Sequence, residues 1–387
     1  MIFITAAKII FWLNAGIIVY VYAGYPLLVF LVGRFFPKRI RKGDIEPRVS
    51  FVITAYNEEL AIREKIENTL AIIYPRENLE IIVASDGSTD KTDEIVKEFS
   101  RAGVRLFRQE GRVGKTQTQN KAVEQAATGE IILFSDATSM CESGILSEIL
   151  PNFADPAVGC VAGRLTYIND SNSAIGEGTL SYWSYEKFLK ENESQASSLI
   201  GVSGCLYAVR RSAYQPMYPE ACSDFVICSV IYRQGLRSIY EPNAVCAEVT
   251  NNRPAEEFKM RVRIITQTFA DLWQNRDMLN PFKSGIFALQ MISHKLLRYA
   301  VPAFLILSLL SSFIAGIYSN PFTWIFGMQM AFYSLAFGAH LMERNGRNLG
   351  VLAIPLYFVH ANVASIVGFY RFLSGERFRT WEPIRQI

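Results

Sequence analysis

Histidine is nearly absent from this chain. Only His294, His340 and His360 occur among 387 residues. None lies near a cysteine in sequence, and the six cysteines (Cys141, Cys160, Cys205, Cys222, Cys228 and Cys246) include no C-x-x-C pair, so no zinc site is expected. An excess of one charge is missing too. The 39 basic and 36 acidic residues leave a formal charge of +3, too balanced for a nucleic-acid partner. Charged residues are only 19% of the chain, against ~25% in an average soluble protein. There is no internal repeat, no low-complexity tract and no G-x-x-x-x-G-K-[ST] spacing. Disorder, a collagen-like repeat and a small disulfide scaffold are thereby excluded. Apolar residues fill the gap: they make up 50% of the chain, and mean hydropathy is +0.16. The surplus lies at the two ends, as in a membrane-attached protein.

Residues 9–33 carry no Asp, Glu, Lys or Arg. At 1.5 Å per residue this stretch spans a ~30 Å hydrocarbon layer with some tilt, and residues 1–36 read as a permanent anchor. Six basic and two acidic residues follow between Arg34 and Arg48, which places that side in the cytoplasm. The thiols of the polar middle are then read as reduced, buried, small apolar side chains. A second uncharged block, residues 299–342, is broken at Ser319-Asn320-Pro321 and reads as a hairpin of two spanning helices. A third block, 349–370, contains Pro355, His360 and Asn362, and four basic and two acidic residues follow from Arg371 onward. The reading favours a helix at the cytoplasmic interface over a further span, with 349–387 ending in a cytoplasmic tail. Residues 256–298 mix Phe269, Leu272, Trp273 and Phe287 with seven basic residues. They suggest amphipathic helices whose cations face membrane lipids, or a solvated linker helix.

Residues 47–255 alternate strand-like and helical patterns: VSFVITAY, NEELAIREKIENTLAII, LEIIVASDGS, TDKTDEIVKEFS, VRLFRQ, GKTQTQNKAVEQA and EIILFSDATS. That alternation predicts an α/β domain built of right-handed βαβ units around a parallel sheet. Ligands in such sheets bind beyond the carboxyl ends of the strands. The polar residues fall there: Tyr56-Asn57-Glu58, Asp86-Gly87-Ser88 and Asp136-Ala137-Thr138. Asp86 and Asp136 each close an apolar strand, where an ionised carboxylate is costly without a donor or a cation. Helix capping is the competing explanation, strongest for Asp90. Gly114-Lys115 opens a helix after a loop with Arg108, Gly111 and Arg112. It fits either a phosphate contact or a surface lysine.

The segments VSFVITAYNEE, IIVASDGSTDKT, GRVGKTQTQNKA, ILFSDATS, GVSGCLYAVRR and CSDFVICSVIYRQGLRSIYEPNA stand in the order and rough spacing found in the family 2 membrane glycosyltransferases. The chain resembles that family, which includes cellulose, chitin and hyaluronan synthases and bacterial exopolysaccharide transferases. The resemblance covers about residues 47–270 by motif. It implies a GT-A (Rossmann-like) fold and an inverting hexosyl transfer from a nucleotide sugar, UDP by resemblance, at the inner membrane of a multi-pass protein. By the same resemblance Thr54, Ala55, Tyr56, Asn57 and Glu58 line the nucleotide pocket, together with Asp86, Ser88, Lys115, Ser135 and Asp136. Asp136 and Thr138 stand at the D-x-D position that holds Mg²⁺ or Mn²⁺ on the diphosphate. Ser203, Gly204 and Cys205 lie near the acceptor, joined by Arg263 and Gln267. Asp224 is the general base, although read alone it is a helix N-cap residue. Trp381 and Arg385 resemble a gating segment.

Several motifs depart from the family. D-x-D reads Asp136-Ala137-Thr138, T-E-D reads Cys222-Ser223-Asp224, and Q-x-x-R-W is not recognisable. The expected acceptor is a growing glycan of a surface polysaccharide, with export partners. The alternatives are a single sugar placed on a polyprenyl phosphate or ceramide-like lipid, and a non-catalytic nucleotide-binding membrane subunit.

Overall fold

The computed structural model describes residues 2–168, 174–249, 254–345, 347 and 349–380. It opens with a 34-residue helical run, Ile2–Phe35, made of α1 (Ile2–Val19), a π turn (Tyr20–Gly24) and α2 (Tyr25–Phe35). Pro26 has no amide hydrogen to give, and the wide turn ahead of it absorbs the missing bond.

The polar domain follows. Its elements are β1 (Val49–Ala55), α3 (Ile62–Leu70), β2 (Leu79–Ser85), α4 (Thr92–Glu98), β3 (Val104–Arg108), α5 (Lys115–Gln125) and β4 (Ile131–Asp136). Next come β5 (Met140–Cys141), α6 (Ile145–Ile149), β6 (Val158–Ile168), α7 (Ala174–Ala196), β7 (Tyr207–Arg210), α8 (Ser223–Arg233) and β8 (Arg237–Val249). The described strands form one sheet in the order β3-β2-β1-β4-β7-β6-β8-β5. The first four are parallel, as the βαβ alternation predicts. The chain moves outward from β1 to β3 and then returns to β4 on the other side of β1, so a crevice opens between the ends of β1 and β4. Thr54 and Asp136 are paired there.

Beyond β4 the sheet is mixed rather than parallel. β7 runs antiparallel to β4 and to β6, and β8 runs parallel to β6. The antiparallel pairing matters for the site. It sets the start of β7 beside the end of β4, with Phe134 opposite Tyr207. Residues 203–205 therefore arrive next to Asp136.

Both faces of the sheet are covered. Phe51, Ile53 and Leu133 pack with Ile145 and Leu206 on one face, and Val52, Phe134 and Tyr207 pack with Val226 and Ile227 on the other. All seven residues of β1 are buried, which explains its unbroken apolar and β-branched run. Each fully buried Val, Ile or Phe contributes roughly 1.5–3 kcal/mol.

The remaining chain is helical: α9 (Pro254–Gln274), α10 (Pro281–Gln290), α11 (Arg298–Gly316), α12 (Asn320–Arg344) and α13 (Ala353–Leu373). A π turn, Met291–Leu297, joins α10 to α11. Four described helical runs are long and apolar enough to cross a membrane: Ile2–Phe35, Pro281–Gly316, Asn320–Arg344 and Gly350–Leu373. The helices between 256 and 298 do not keep their cations for lipid head groups alone. Arg261 is paired with Glu257, and Arg298 with Glu186 of α7. His294 bonds Glu193 at 2.8 Å, and the Tyr25 hydroxyl donates to the same carboxylate. Charges removed from water need partners, and here the partners bolt the apolar helices to the polar domain.

α13 lies along α9, with Val262, Ile265 and Phe269 against Ala364, Val367 and Phe372. Gly368 permits the approach: a Cβ there would stand 2.8 Å from Ile265. The tail after α13 returns to the polar domain. Gln267 donates to the Phe378 carbonyl (3.2 Å), and Arg379 pairs with Glu220 (2.5 Å).

Candidate active site

The loops that follow β1 and β2 are laced together. The Asn57 backbone, at φ +53, lets its side chain accept from the Thr89 amide (2.7 Å). Its own amide donates to the Ser88 hydroxyl (3.1 Å), and the Glu58 amide to Thr92 (2.8 Å). Asp90 accepts from the amide of Thr92 (3.0 Å), the first residue of α4. Thr54 is buried and accepts from Gln119 of α5 (3.2 Å), and Ala55 is buried beside it. Tyr56 lies half-buried under the Arg112 guanidinium, 3.8 Å from ring centre to cation.

Asp86 is fully buried at the end of β2. Its carboxylate accepts from the amides of Val113 (2.8 Å) and Gly114 (3.0 Å) and from the Thr118 hydroxyl (2.9 Å). Burial pushes its pKa up, and these bonds act against that. The charge thus shapes the loop that leads into α5. Gly87 makes the shape possible, since a Cβ there would stand 2.4 Å from the Gly111 carbonyl. The chain tail closes over the far side of the loop, where a Cβ on Gly114 would overlap the Arg379 carbonyl.

Three distant stretches meet in front of β4. Lys115, the first residue of α5, pairs with Asp136. Burial works against the charge on Lys115, but Asp136 and Asp224 outweigh it and hold its pKa above the ordinary lysine value. Gly204 marks the meeting point. A Cβ on it would lie 2.9 Å from Lys115 Nζ, 3.1 Å from Asp136 Oδ2 and 3.4 Å from Asp224 Oδ2. Asp224 stands in the first turn of α8, half-buried, with the Cys222 thiol donating to its Oδ1 (2.9 Å). Ser203 is buried and is within 2.9 Å of the Lys190 ammonium of α7. Burial lowers the Lys190 pKa.

Thr138 is exposed beyond Asp136. Ser135 is buried, and its hydroxyl bridges Lys65 Nζ (2.8 Å) and the Cys205 carbonyl (2.8 Å). Arg263, Gln267 and Asp271 are spaced by four along α9 and share one face. Gln267 holds the tail, whereas Arg263 Nε is buried without a hydrogen-bond partner. Trp381 and Arg385 lie outside the described residues.

Three residues of this region escaped sequence reasoning. Lys65 is fully buried and also reaches the Ser139 carbonyl, so it clamps both sides of the Asp136 loop. Its signal was positional: Ile62, Lys65, Ile66 and Thr69 form the buried stripe of α3. Glu248 of β8 bonds Ser139, and burial together with the charge of Asp136 raises its pKa. Asp271 of α9 accepts from the Tyr218 hydroxyl (2.5 Å) and the Cys222 amide (3.2 Å), fixing the loop ahead of Asp224. Nothing in the local sequence marks either acid. All six cysteines are free thiols, and all but the half-buried Cys222 are buried.

The family model described as Glycosyl transferase family 2 matches residues 50–217. Poly-beta-1,6-N-acetyl-D-glucosamine synthase of Staphylococcus aureus (strain COL) is 28% identical over 223 residues, 56% of this chain and 53% of that protein. The Staphylococcus epidermidis synthase of the same name is 26% identical over 222 residues, with coverages of 56% and 53%. The chain thus spans about half the length of the curated relatives it matches. Among solved structures, mannosyltransferase PcManGT from Pyrobaculum calidifontis, in complex with GDP-Man and Mn²⁺, superposes with a TM-score of 0.73 at 22% identity. It covers 95% of this chain and 99% of that one, a likeness of fold.

Proposed function

Because residues 50–217 form a family 2 glycosyltransferase domain of GT-A fold, we propose that this chain is an inverting membrane glycosyltransferase. It moves a sugar from a nucleoside diphosphate sugar to a glycan acceptor in the synthesis of a surface polysaccharide. The observation that carries this reading is the convergence of Lys115, Asp136 and Asp224 around the bare Cα of Gly204. A cation, a carboxylate at a strand end and a second carboxylate on a helix surround a space that no side chain fills.

The roles follow from position. Tyr56 and Asn57, with Glu58, Ser88 and the loop shaped by Asp86, form the wall that receives the nucleotide. Lys115 balances the diphosphate. Asp224 takes the proton of an acceptor hydroxyl as its oxygen bonds the anomeric carbon. The bond from that carbon to the diphosphate breaks, its electrons leave with the nucleoside diphosphate, and the configuration inverts. Ser203, Cys205 and the Arg263–Gln267 face of α9 lie on the acceptor side.

A divalent ion, Mg²⁺ or Mn²⁺, fits beside Asp136. The Lys115 ammonium already stands as a cation there, and Asp136, the exposed Thr138 hydroxyl and nearby Glu248 are the hard oxygen donors such ions take. When bound, the ion supplies neutralisation of the leaving diphosphate.

The poly-N-acetylglucosamine synthases among the relatives make UDP-N-acetylglucosamine the first donor to test. The decisive comparison is wild type against Asp224→Asn in detergent. Diphosphate release should fall by about 10²–10⁴ while nucleotide binding persists. Equal turnover removes Asp224 from the mechanism. A second reading, one sugar transferred to a lipid, draws on the small number of candidate spans, four among the described residues. A single glycolipid in place of a polymer ladder would establish it.

The catalytic domain is placed on the cytoplasmic side of the inner membrane. The basic stretch after Arg34 supports that placement.

A further inference from the structure

Two of the three histidines, twenty residues apart in sequence, come together where the inner end of α12 meets α13. His340 and Glu343 are three apart on α12 and share a face, and His360 approaches from α13. Each offers one ligand atom, and these atoms all lie within 4.8 Å of one another. The two imidazoles meet edge to face, with centroids 5.5 Å apart. His340 Nδ1 is buried and has no hydrogen-bond partner. A ring nitrogen withdrawn from water and left without a partner is costly, and a bound cation would remove that cost. Glu343 and His360 also line a cavity of about 40 Å³ with Glu257, Arg261 and Tyr357. That volume holds an ion and a water.

We propose that His340, Glu343 and His360 form a transition-metal site, with Zn²⁺ as the matching ion, separate from the nucleotide site at Asp136. Two imidazole nitrogens and one carboxylate oxygen are a borderline donor set. It suits Zn²⁺ and is poor for Mg²⁺ or Ca²⁺, which take oxygen ligands. At ligand distances of ~2.1 Å a tetrahedral ion holds its donors about 3.4 Å apart, so side-chain rotations that move these atoms by about 1 Å bring them onto one ion. Three protein ligands leave a fourth position toward the cavity, open to water. The ion would pin the end of the α11–α12 hairpin to α13. It would also pin α13 near the first turns of α9, whose Arg261 already meets Tyr357 of α13. The inference does not rest on the glycosyltransferase reading.

The test is a Co²⁺ titration of the full-length protein in detergent after removal of metals by chelation. The expected result is ~one equivalent with the visible absorption of tetrahedral Co²⁺, displaced by Zn²⁺. His340→Gln and His360→Gln should each abolish the signal. An unchanged melting temperature and a single detergent elution peak report that the variants are folded. Asp136→Asn should leave the signal intact, which separates this site from the nucleotide metal. Absence of the absorption in wild type, or its persistence in both histidine variants, overturns the proposal.

Discussion

At the scale of single residues, the active site is set by what is absent at position 204 and by what is buried at position 65. Gly204 matters because a Cβ there would press on the ends of three charged side chains. Gly204→Ala should therefore lower diphosphate release by about 10-fold, since contacts of 2.9–3.4 Å ask for shifts of a few tenths of an ångström in groups whose placement the chemistry depends on. The backbone there has an ordinary φ, so thermal stability in detergent should hardly change. Unaltered kinetics would show that the convergence is not the working site. Lys65 makes the complementary case. Its ammonium links Ser135 to the Ser139 carbonyl across the Asp136 loop, above the ring of Phe51 at 5.3 Å. Lys65→Met keeps the length but strands these buried groups, at a cost of about 1–3 kcal/mol. A lower melting temperature together with weaker donor binding is expected. A variant as stable as wild type would mean the clamp contributes nothing.

At the scale of elements, α9 links the membrane side to the chemistry. Its face carries Arg263, then Gln267 onto the tail and Asp271 onto the loop ahead of Asp224. Burial pushes the Asp271 carboxyl up to about 7, although its bonds from Tyr218 and the Cys222 amide act the other way. The folded value lies above the unfolded one of 3.8. The stability Asp271 contributes is therefore fully present below about pH 4 and is lost as pH rises through 7. The melting temperature of wild type, measured against Asp271→Asn, should lose ground between pH 5 and pH 8. Parallel curves would place the titration elsewhere. The strands β1 to β4 and the helices between them were legible because each apolar run ended in turn residues. β6, β7 and β8 were not. Their side of the sheet mixes parallel and antiparallel pairs whose partners are far apart in sequence, and no local period encodes that.

At the scale of the whole molecule, the tail bears on how α13 lies. Phe378 and Arg379 touch Gln267 and Glu220, so the end of α13 faces the catalytic domain. If α11 and α12 cross as a hairpin, α13 also begins on that side, and it rests along α9 at the interface rather than crossing. Its 24-residue apolar run is long enough for either arrangement. Contact with the domain supports the interfacial arrangement, and vesicle labelling tests it. A cysteine placed at Glu376 should react with an impermeant maleimide only from the domain's side of sealed vesicles, and one at Ser319 only from the other. Labelling of both from one side would refute the hairpin.

The sequence by itself determined the apolar end segments, the βαβ half of the sheet and the residue types at the strand ends. Those depend on hydropathy and period, which are local. It also carried the resemblance that joined Asp86, Asp136 and Asp224 before any of them was seen in space. Only the tertiary structure decided that Lys115, Asp136 and Asp224 meet at Gly204 while Asp86 holds the loop ahead of α5, that Lys65 and Asp271 are buried structural groups, and that His340 meets His360. These are packing outcomes between segments tens of residues apart, where close contact and lost water, rather than local preference, fix what each side chain does.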